Sequence, residues 1–328
     1  MTPRPSSSSQ WWRVAQLTVS VVVIGLLFRD LDRTALSTLL PRIRWDWLAL
    51  VFLVKAATLF LHEFRLWISL NPPRPALGRV IAIGLASGVL NLVLPGRAGD
   101  LAAIGMLVRE CRVTPGAAAA AVGVVAFLEA AMFGLTLVVV LALGADRWQS
   151  VVGPEKWLQA LSGVSGLTLL GIFCAVVGVV VVKRFRGSEA HTPTGRGPIQ
   201  IIRDAVLHAT DHLASPLTVA LNTGLALMQV LGMLFAFALL FPAIGIDVPL
   251  PALAAAGVLA ISSLAAVLLP PSYGAGPAAA AVFVLSAFGL SNDDALAYSV
   301  GWWATAQLPA VALGLPAFYG RGESSTRS

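Results

Sequence analysis

Long apolar stretches separated by short polar segments run along most of the chain. Crossing the roughly 30 Å of hydrocarbon in a bilayer takes about 20 residues of α-helix, and most of these stretches approach or exceed that length. The pattern therefore predicts an all-α, polytopic membrane helical bundle of about eight spans. The apolar stretches comprise residues 12–28, 45–70, 76–94, 115–144, 158–182, 216–241, 249–269 and 295–319.

The composition agrees with a membrane environment. Apolar residues occupy 57% of the 328 positions and charged residues 12%, which leaves too little polar surface to cover a soluble globule. We predict one transmembrane domain over residues 12–319, with halves at 12–182 and 199–319 that are joined by a polar loop. Residues 1–11 and 320–328 are polar, and we expect them to be mobile tails.

Membrane orientation explains the basic charge of the chain. The formal net charge is +6, and Lys and Arg concentrate in short loops such as residues 183–203. Cytoplasmic loops of membrane proteins carry this kind of positive excess, so the charge does not require nucleic acid as a partner. We expect a multi-pass protein of the cell membrane, with the inner membrane of a prokaryote as its location.

Two apolar stretches are interrupted by helix-breaking residues, in "NLVLPGRAGDLAAIGML" and in "AAVLLPPSYGAGPAAAAVFVL". Proline removes a backbone donor and glycine permits turn conformations, and non-helical backbone at membrane depth is tolerated only beside protein or water. We predict two broken or re-entrant helical hairpins related by an inverted repeat, although shared helix-breaking chemistry alone would also produce this likeness. The breaking residues are Pro95, Gly96, Gly99, Pro270, Pro271, Gly274 and Gly276.

Charged side chains inside the predicted spans mark candidate functional positions, because each is costly in hydrocarbon unless it is paired or hydrated. Lys55 and Glu63 share one face of the second span but lie two turns apart, so each is expected to find a partner on another helix. Glu129 lies near the centre of a long apolar helix. It is either a packed, hydrogen-bonded acid or a ligand or proton site. Burial would keep it neutral unless Arg97 or Lys55 reaches it. We predict that Lys55, Glu63 and Glu129 line an intramembrane polar route.

Four further residues are candidates for binding a lipid headgroup. Arg97 offers a planar fork of donors that suits phosphate, and Asp100 either fixes Arg97 or binds a cationic headgroup. The alternative is that these two charges only solvate the tip of a hairpin. Asn91 and Arg65 complete the predicted headgroup set. Arg65 lies near the end of its span, where the alternative is that it merely extends to the headgroup layer.

The segment "IQIIRDAVLHATDHL" is amphipathic at helical spacing. His208 and His212, with carboxylates nearby, would suit a metal ion. An interfacial amphipathic helix is the commoner explanation of such a pattern. We therefore predict no metal site and no cofactor.

Four segments together resemble the flippase-like transmembrane family named after the membrane region of lysylphosphatidylglycerol synthases. They are "FRLWISL", "NLVLPGRAGDLAAIGMLVRE", "VVAFLEAA" and "LLPPSYGAGPAAAAVFVLSAFGLSNDDALAYSV", and the resemblance covers residues 14–319. It implies a multi-helix membrane domain that translocates, or helps to translocate, a lipid with a charged or glycosylated headgroup between leaflets. The recurring polar and breaker positions implied by the resemblance are Arg65, Pro95, Arg97, Gly99, Asp100, Glu129, Pro270, Gly274 and Gly276.

The chain departs from the pattern of that family at several charged positions. Asp100 stands where the family usually has glutamate, and Ala102 and Ala103 stand where an arginine commonly follows. Ala130 replaces an arginine after the acid of the fourth span, and residues 278–281 lack an acid after the second break. These departures imply either a different lipid or a loss of transport.

Two functions of different classes therefore stay open. The first is lipid translocation without covalent chemistry, with an anionic or glycosylated membrane lipid as partner. The second, which the missing charges favour, is a non-transporting scaffold or partner of a cell-envelope glycosyl- or acyltransferase. An enzyme acting on lipid phosphates would need a clustered catalytic set, and the sequence offers scattered acids. An enzyme of this kind is therefore the less favoured alternative, and we expect no enzymatic activity. Only a short tail follows Tyr319, so we also expect no synthase domain and no lysyl transfer.

Overall fold

The computed structural model describes residues 40–70, 74–93, 98–185, 204–211, 215–268 and 275–324. The predicted span at 12–28, the N-terminal tail and most of the loop between the halves lie outside these ranges. Every regular element within them is a helix. This confirms the predicted all-α bundle.

Ten helices account for most of the described residues. After a 3₁₀ turn at Leu40–Arg42, they are α1 Trp45–Ser69, α2 Leu77–Val93, α3 Ala98–Cys111, α4 Pro115–Leu143, α5 Ala145–Val152, α6 Pro154–Phe185, α7 Pro216–Ala243, α8 Pro251–Leu268, α9 Ala275–Ser286 and α10 Asn292–Ser324. Residues 204–211 form a further short helical segment. Helix α10 continues through residues 320–324, which the sequence had assigned to a mobile tail.

The long helices begin and end where their sequences favour it. Helices α4 and α7 each start at a proline preceded by a hydroxyl residue. Thr114 accepts a hydrogen bond from the backbone N–H of Ala117, and Ser215 accepts one from that of Thr218, which is the usual N-cap with proline in the first turn. Among the described residues, α1, α4 and α7 are long and apolar enough to cross a membrane by length and composition.

Each predicted interruption separates a pair of shorter helices. Helix α2 packs against α3, and α8 packs against α9. At 14 and 12 residues, α3 and α9 are about 21 and 18 Å long, shorter than the roughly 30 Å of hydrocarbon. This geometry fits a helix pair that enters and returns. Gly99 and Gly276 lie in the first turns of α3 and α9, while Pro95, Gly96, Pro270, Pro271 and Gly274 lie outside the described residues.

Helices α1–α4 and α7–α10 form two repeats of the same arrangement. Val93 and Leu268 end α2 and α8, and Cys111 and Ser286 end α3 and α9, and both pairs are separated by the same 175 residues. The contacts between helices also match when α1, α2, α3 and α4 are exchanged for α7, α8, α9 and α10. Within the repeats, α1–α2 corresponds to α7–α8, α2–α3 to α8–α9, α3–α4 to α9–α10 and α1–α4 to α7–α10. Between the repeats, α2–α10 corresponds to α4–α8 and α1–α10 to α4–α7.

Helices α1 and α7 are equivalent in the two repeats, and they pack against each other. The axis that relates the repeats therefore passes between these two helices. Lys55 lies near Phe237 and Thr58 near Gly232, whereas Arg65, further along α1, binds Asn222, which lies earlier in α7. The two helices thus run antiparallel. Equivalent helices that run antiparallel across their axis are the mark of an inverted repeat, and the structure therefore supports the repeat predicted from the two interruptions.

The second repeat contains the larger apolar core. Phe237, Leu240 and Phe241 of α7 are fully buried in this core, and the Phe241 ring stacks on Tyr298 of α10. Trp148 of α5 belongs to the same core and contacts Phe283 and Phe288. The Tyr298 hydroxyl donates to the Phe237 carbonyl at 2.9 Å, so the buried phenol has a partner. A smaller apolar cluster joins α1, α2, α3 and α4 in the first repeat.

Candidate functional site

Helix α1 carries polar side chains into the interior of the bundle on two of its sides. Lys55, Thr58, Arg65 and Ser69 are buried on the side that meets α7. Glu63 is buried on the side that meets α2. Such groups inside membrane spans are costly unless they are paired or hydrated, so the surroundings of each one define what it does.

Arg65 joins three helices through its guanidinium group. The side chain is 0% exposed. Its Nε donates to Asn222 Oδ1 at 3.0 Å and its Nη1 to Gln229 Oε1 at 2.7 Å, both on α7. Nη2 donates to the Val125 carbonyl of α4 at 3.4 Å. Arg65 therefore does not extend to the headgroup layer, and in this conformation its donors serve acceptors of the protein.

Glu129 of α4 accepts bonds from the other two long helices. His62 Nδ1 lies 2.7 Å from its Oε1, and Gln229 Nε2 donates to the same oxygen at 2.9 Å. Because a carboxylate only accepts hydrogen bonds, His62 must carry a proton on Nδ1 to donate to Glu129. Arg65 Nη1 adds an ion pair at 3.8 Å. His62 and Arg65 thus both bind Glu129. Lys55 instead lies over the ring of Phe237. Arg97 lies outside the described residues, so its contact with Glu129 stays a prediction.

A partly open cavity lies between α1, α2, α3 and α4, beside this network. The space free of protein atoms in and at the mouth of this cavity is about 320 Å³, and part of it is open to the outside. Four polar residues line it, namely His62, Glu63, Ser87 and Asp100. The remaining lining is apolar and consists of Leu66, Ala103, Val122, Val125 and Ala126.

Glu63 is the deepest acid of the cavity wall. Its side chain is 5% exposed, and its Oε2 has no hydrogen-bond partner among the described residues. The carboxylate packs against the backbone of Gly84 in α2, where any added Cβ would overlap it. Glycine at position 84 therefore makes the space that the carboxylate occupies.

Asn91, in the last turn of α2, binds the first turn of α3. Its Oδ1 accepts from the Gly99 N–H at 2.7 Å and its Nδ2 donates to Asp100 Oδ1 at 2.8 Å. Gly99 lies so close to α2 that a Cβ would overlap the carbonyl oxygen of Ser87. These contacts hold Asp100 at the rim of the cavity.

Lys55 lies apart from the cavity. Its Nζ is 5.0 Å from the centroid of the Phe237 ring, a cation–π contact across the α1–α7 seam. The expectation that Lys55 has its partner on another helix agrees with this contact. Eight residues separate it from Glu63, which is about 12 Å along a helix, so the two ends of the predicted polar route are distinct environments.

The structure places five of the predicted site residues in or beside the cavity and leaves Lys55 apart. Glu63 and Asp100 line one cavity, Asn91 binds Asp100, and Arg65 binds in the same network as Glu129. Arg97 lies outside the described residues. The residue pattern alone had assigned no role in the site to five residues that the structure places there, namely His62, Ser69, Ser87, Asn222 and Gln229. Two amides seven residues apart in the otherwise apolar α7 were the signal that could have identified Asn222 and Gln229.

The polar network has no counterpart in the second repeat. At the 175-residue spacing of the repeats, Arg65 corresponds to Leu240, His62 to Phe237 and Glu129 to Ala304. Leu240 and Phe237 are fully buried in the apolar core. The fold is therefore twofold, while the ionisable residues of the network lie in the first repeat and α7 contributes only the amides Asn222 and Gln229.

The comparison with known families agrees with the membrane fold. The family model described as the lysylphosphatidylglycerol synthase TM region matches residues 13–314, and the chain belongs to that family. No curated protein and no solved structure matches the chain.

Proposed function

We propose, on the premise of this family membership, that the protein translocates a lipid with a charged or glycosylated headgroup between the leaflets of a cell membrane. The observation that carries the proposal is the cavity of the first repeat. It is lined by His62, Glu63, Ser87 and Asp100, and it lies among helices whose other surfaces suit lipid. A polar cavity at membrane depth is the feature that a moving headgroup requires.

The residues divide into two roles in this proposal. His62, Glu63 and Asp100 line the cavity and would contact the headgroup, replacing part of its water while the acyl chains stay in lipid. Arg65, Glu129 and Gln229 would act as positioning residues, because they hold His62 and join α1, α4 and α7. The proposal involves no covalent step.

The test is lipid scrambling by the purified protein in liposomes. Acyl-chain NBD-labelled phosphatidylglycerol and phosphatidylethanolamine serve as probes, with dithionite quenching of the outer leaflet as the signal. We expect His62→Ala and Asp100→Asn to slow scrambling about tenfold, as the loss of a contact worth roughly 1.4 kcal/mol would. Glu155→Gln is the matched control, because Glu155 is exposed in the first turn of α6.

Scrambling by both variants at the wild-type rate would refute the cavity as the route. No scrambling by the wild-type protein, together with stable co-purification of a cell-envelope glycosyl- or acyltransferase, would instead support the scaffold function. Asp100→Asn is a mild change for the fold, because asparagine retains the oxygen that accepts from Asn91.

A further inference from the structure

We propose that Glu63 binds a single small cation within the cavity, supplied either as the ammonium group of a lipid headgroup or as a free alkali ion. The lipid form of this proposal rests on the proposed function, whereas the free-ion form does not. The ligand is assigned to the Glu63 carboxylate, whose buried Oε2 has no hydrogen-bond partner among the described residues.

The argument begins with the cost of the unpaired oxygen. Glu63 is 95% buried, since its exposed fraction is 5%, and a buried carboxylate without compensating bonds is strongly unfavourable. The carboxylate also lies against Gly84, so the fold provides space for it rather than excluding it. A cation in the cavity beside it would compensate that cost.

The basic groups nearest to Glu63 are engaged elsewhere. His62 directs Nδ1 to Glu129, and Arg65 directs its donors to Asn222, Gln229 and Val125. Lys55 lies two turns away over the ring of Phe237. No basic side chain of the described residues hydrogen-bonds Glu63 Oε2, and we assign a cation that enters the cavity as the partner of this carboxylate.

The other polar atoms of the cavity wall suit the same kind of ligand. The Ser87 hydroxyl donates to the Gly84 carbonyl at 2.8 Å and keeps lone pairs that can accept. Asp100 contributes a carboxylate to the same lining. Hard oxygen atoms of this kind bind alkali ions and ammonium groups, and the apolar remainder of the wall accommodates a methylene group next to an ammonium.

Thermal unfolding of the purified full-length protein tests the proposal. The salts are sodium, potassium and ethanolammonium chloride, each titrated against N-methylglucamine chloride at constant ionic strength. A ligand that binds only the folded state raises Tm saturably, and we expect a rise of about 2–4 °C at saturation. Glu63→Gln should abolish the rise, and Glu155→Gln should retain it.

The arms of the experiment identify the source of the charge. A rise with sodium or potassium alone assigns the site to a free ion, a rise with ethanolammonium alone assigns it to a headgroup ammonium, and a rise with both assigns a shared site. No rise in the wild-type protein, or an equal rise in Glu63→Gln, overturns the proposal. Because the readout is binding, a protein that binds the cation but does not scramble lipid would refute the proposed function and leave this inference standing.

A second measurement uses the unaltered protein, in case Glu63→Gln does not fold. Dicyclohexylcarbodiimide modifies carboxyl groups in apolar surroundings, and mass spectrometry of the digested protein locates the product. We expect Glu63 to be modified in N-methylglucamine chloride and to be protected at least fivefold by the stabilising cation. Equal modification of Glu63 in all of the salts would contradict the proposal.

Discussion

Arg65 is the residue on which the buried polar contacts of the bundle converge. Its guanidinium group binds α7 through Asn222 and Gln229 and α4 through Val125 and Glu129. Only a planar group with several donors can serve such separated acceptors at once, and lysine has a single ammonium point charge. Asn222 in turn donates to Ser69 at 2.7 Å, so the network continues to the end of α1.

Arg65→Ala should therefore be strongly destabilising. Removing one partner of a buried ion pair leaves the others unpaired, which costs about 3–5 kcal/mol. We expect Tm, followed by tryptophan fluorescence in detergent, to fall markedly, and Arg65→Lys to lie between the wild-type protein and the alanine variant. Arg109→Ala is the control, since Arg109 is exposed in the last turn of α3. Equal Tm values for Arg65→Ala and Arg109→Ala would show that the network does not support the fold.

The sequence identified the charged members of this network but not their partners. A lone acid or base in an apolar span is conspicuous, and Glu129 and Arg65 were found in that way, as was Glu63 in the nearby cavity wall. The pairing of His62 with Glu129 depends on how α1 and α4 are rotated against each other, which no local pattern contains. The amides of α7 carry no charge, so a search for ionisable groups passed over them.

At the scale of elements, the α2–α3 hairpin depends on a close approach of two backbones. Gly99 permits it, because the Ser87 carbonyl and the Asn91 side chain occupy the place of a Cβ. The same approach positions Asn91 to bind both the Gly99 N–H and Asp100. The hairpin therefore sets the position of one wall of the cavity.

Gly99→Ala should separate α3 from α2. We expect a loss of about 1–3 kcal/mol, the usual cost of forcing an extra group into a packed site, together with slower scrambling because Ser87 and Asp100 move. Gly105→Ala is the matched control on the same helix, because nothing lies within 4 Å of a Cβ there. That change should be neutral or stabilising by up to about 1 kcal/mol. Equal effects of the two changes on Tm would contradict the assigned packing.

The bounds of the helices were largely predictable from the sequence. The stretch at 216–241 became Pro216–Ala243, and that at 115–144 became Pro115–Leu143, because a proline after a hydroxyl residue fixes each start. Apolar length sets the remainder, since a bilayer selects runs of a given length. The sequence could not show which spans touch, because lipid-facing and protein-facing positions are equally apolar.

At the scale of the whole molecule, the two repeats share one arrangement of helices but not the same ionisable residues. The inverted repeat relates α1 to α7, yet the polar groups of the first repeat correspond to Leu240, Phe237 and Ala304 in the second. The likeness of the two interruptions predicted the repeat because helix-breaking residues are few and conspicuous. The asymmetry was not predicted, because it appears only once equivalent positions are compared.

The α1–α7 seam, the interface where these two helices pack, holds the two repeats together by close contact and hydrogen bonds. Thr58 and Gly232 meet there, with a Cβ at Gly232 only 2.9 Å from Thr58 Cγ2. At the 175-residue spacing this contact corresponds to the adjacent pair Ala57 and Met233, so it lies on the axis between the repeats. Buried polar bonds from Arg65 strengthen the same seam. The cavity lies between α1, α2, α3 and α4, so opening it does not require α1 and α7 to separate.

Cross-linking the seam should therefore leave transport intact. In a background with Cys111 and Cys174 replaced by serine, Thr58→Cys combined with Gly232→Cys places two thiols at a separation that suits a disulfide. We expect oxidation to form the cross-link and to change the rate of lipid scrambling by less than about twofold, since each factor of ten would need roughly 1.4 kcal/mol. Thr58→Cys alone is the control for oxidation. Scrambling that stops on oxidation and returns on reduction would show that the repeats separate along this seam, and the route would then pass between them rather than through the first repeat.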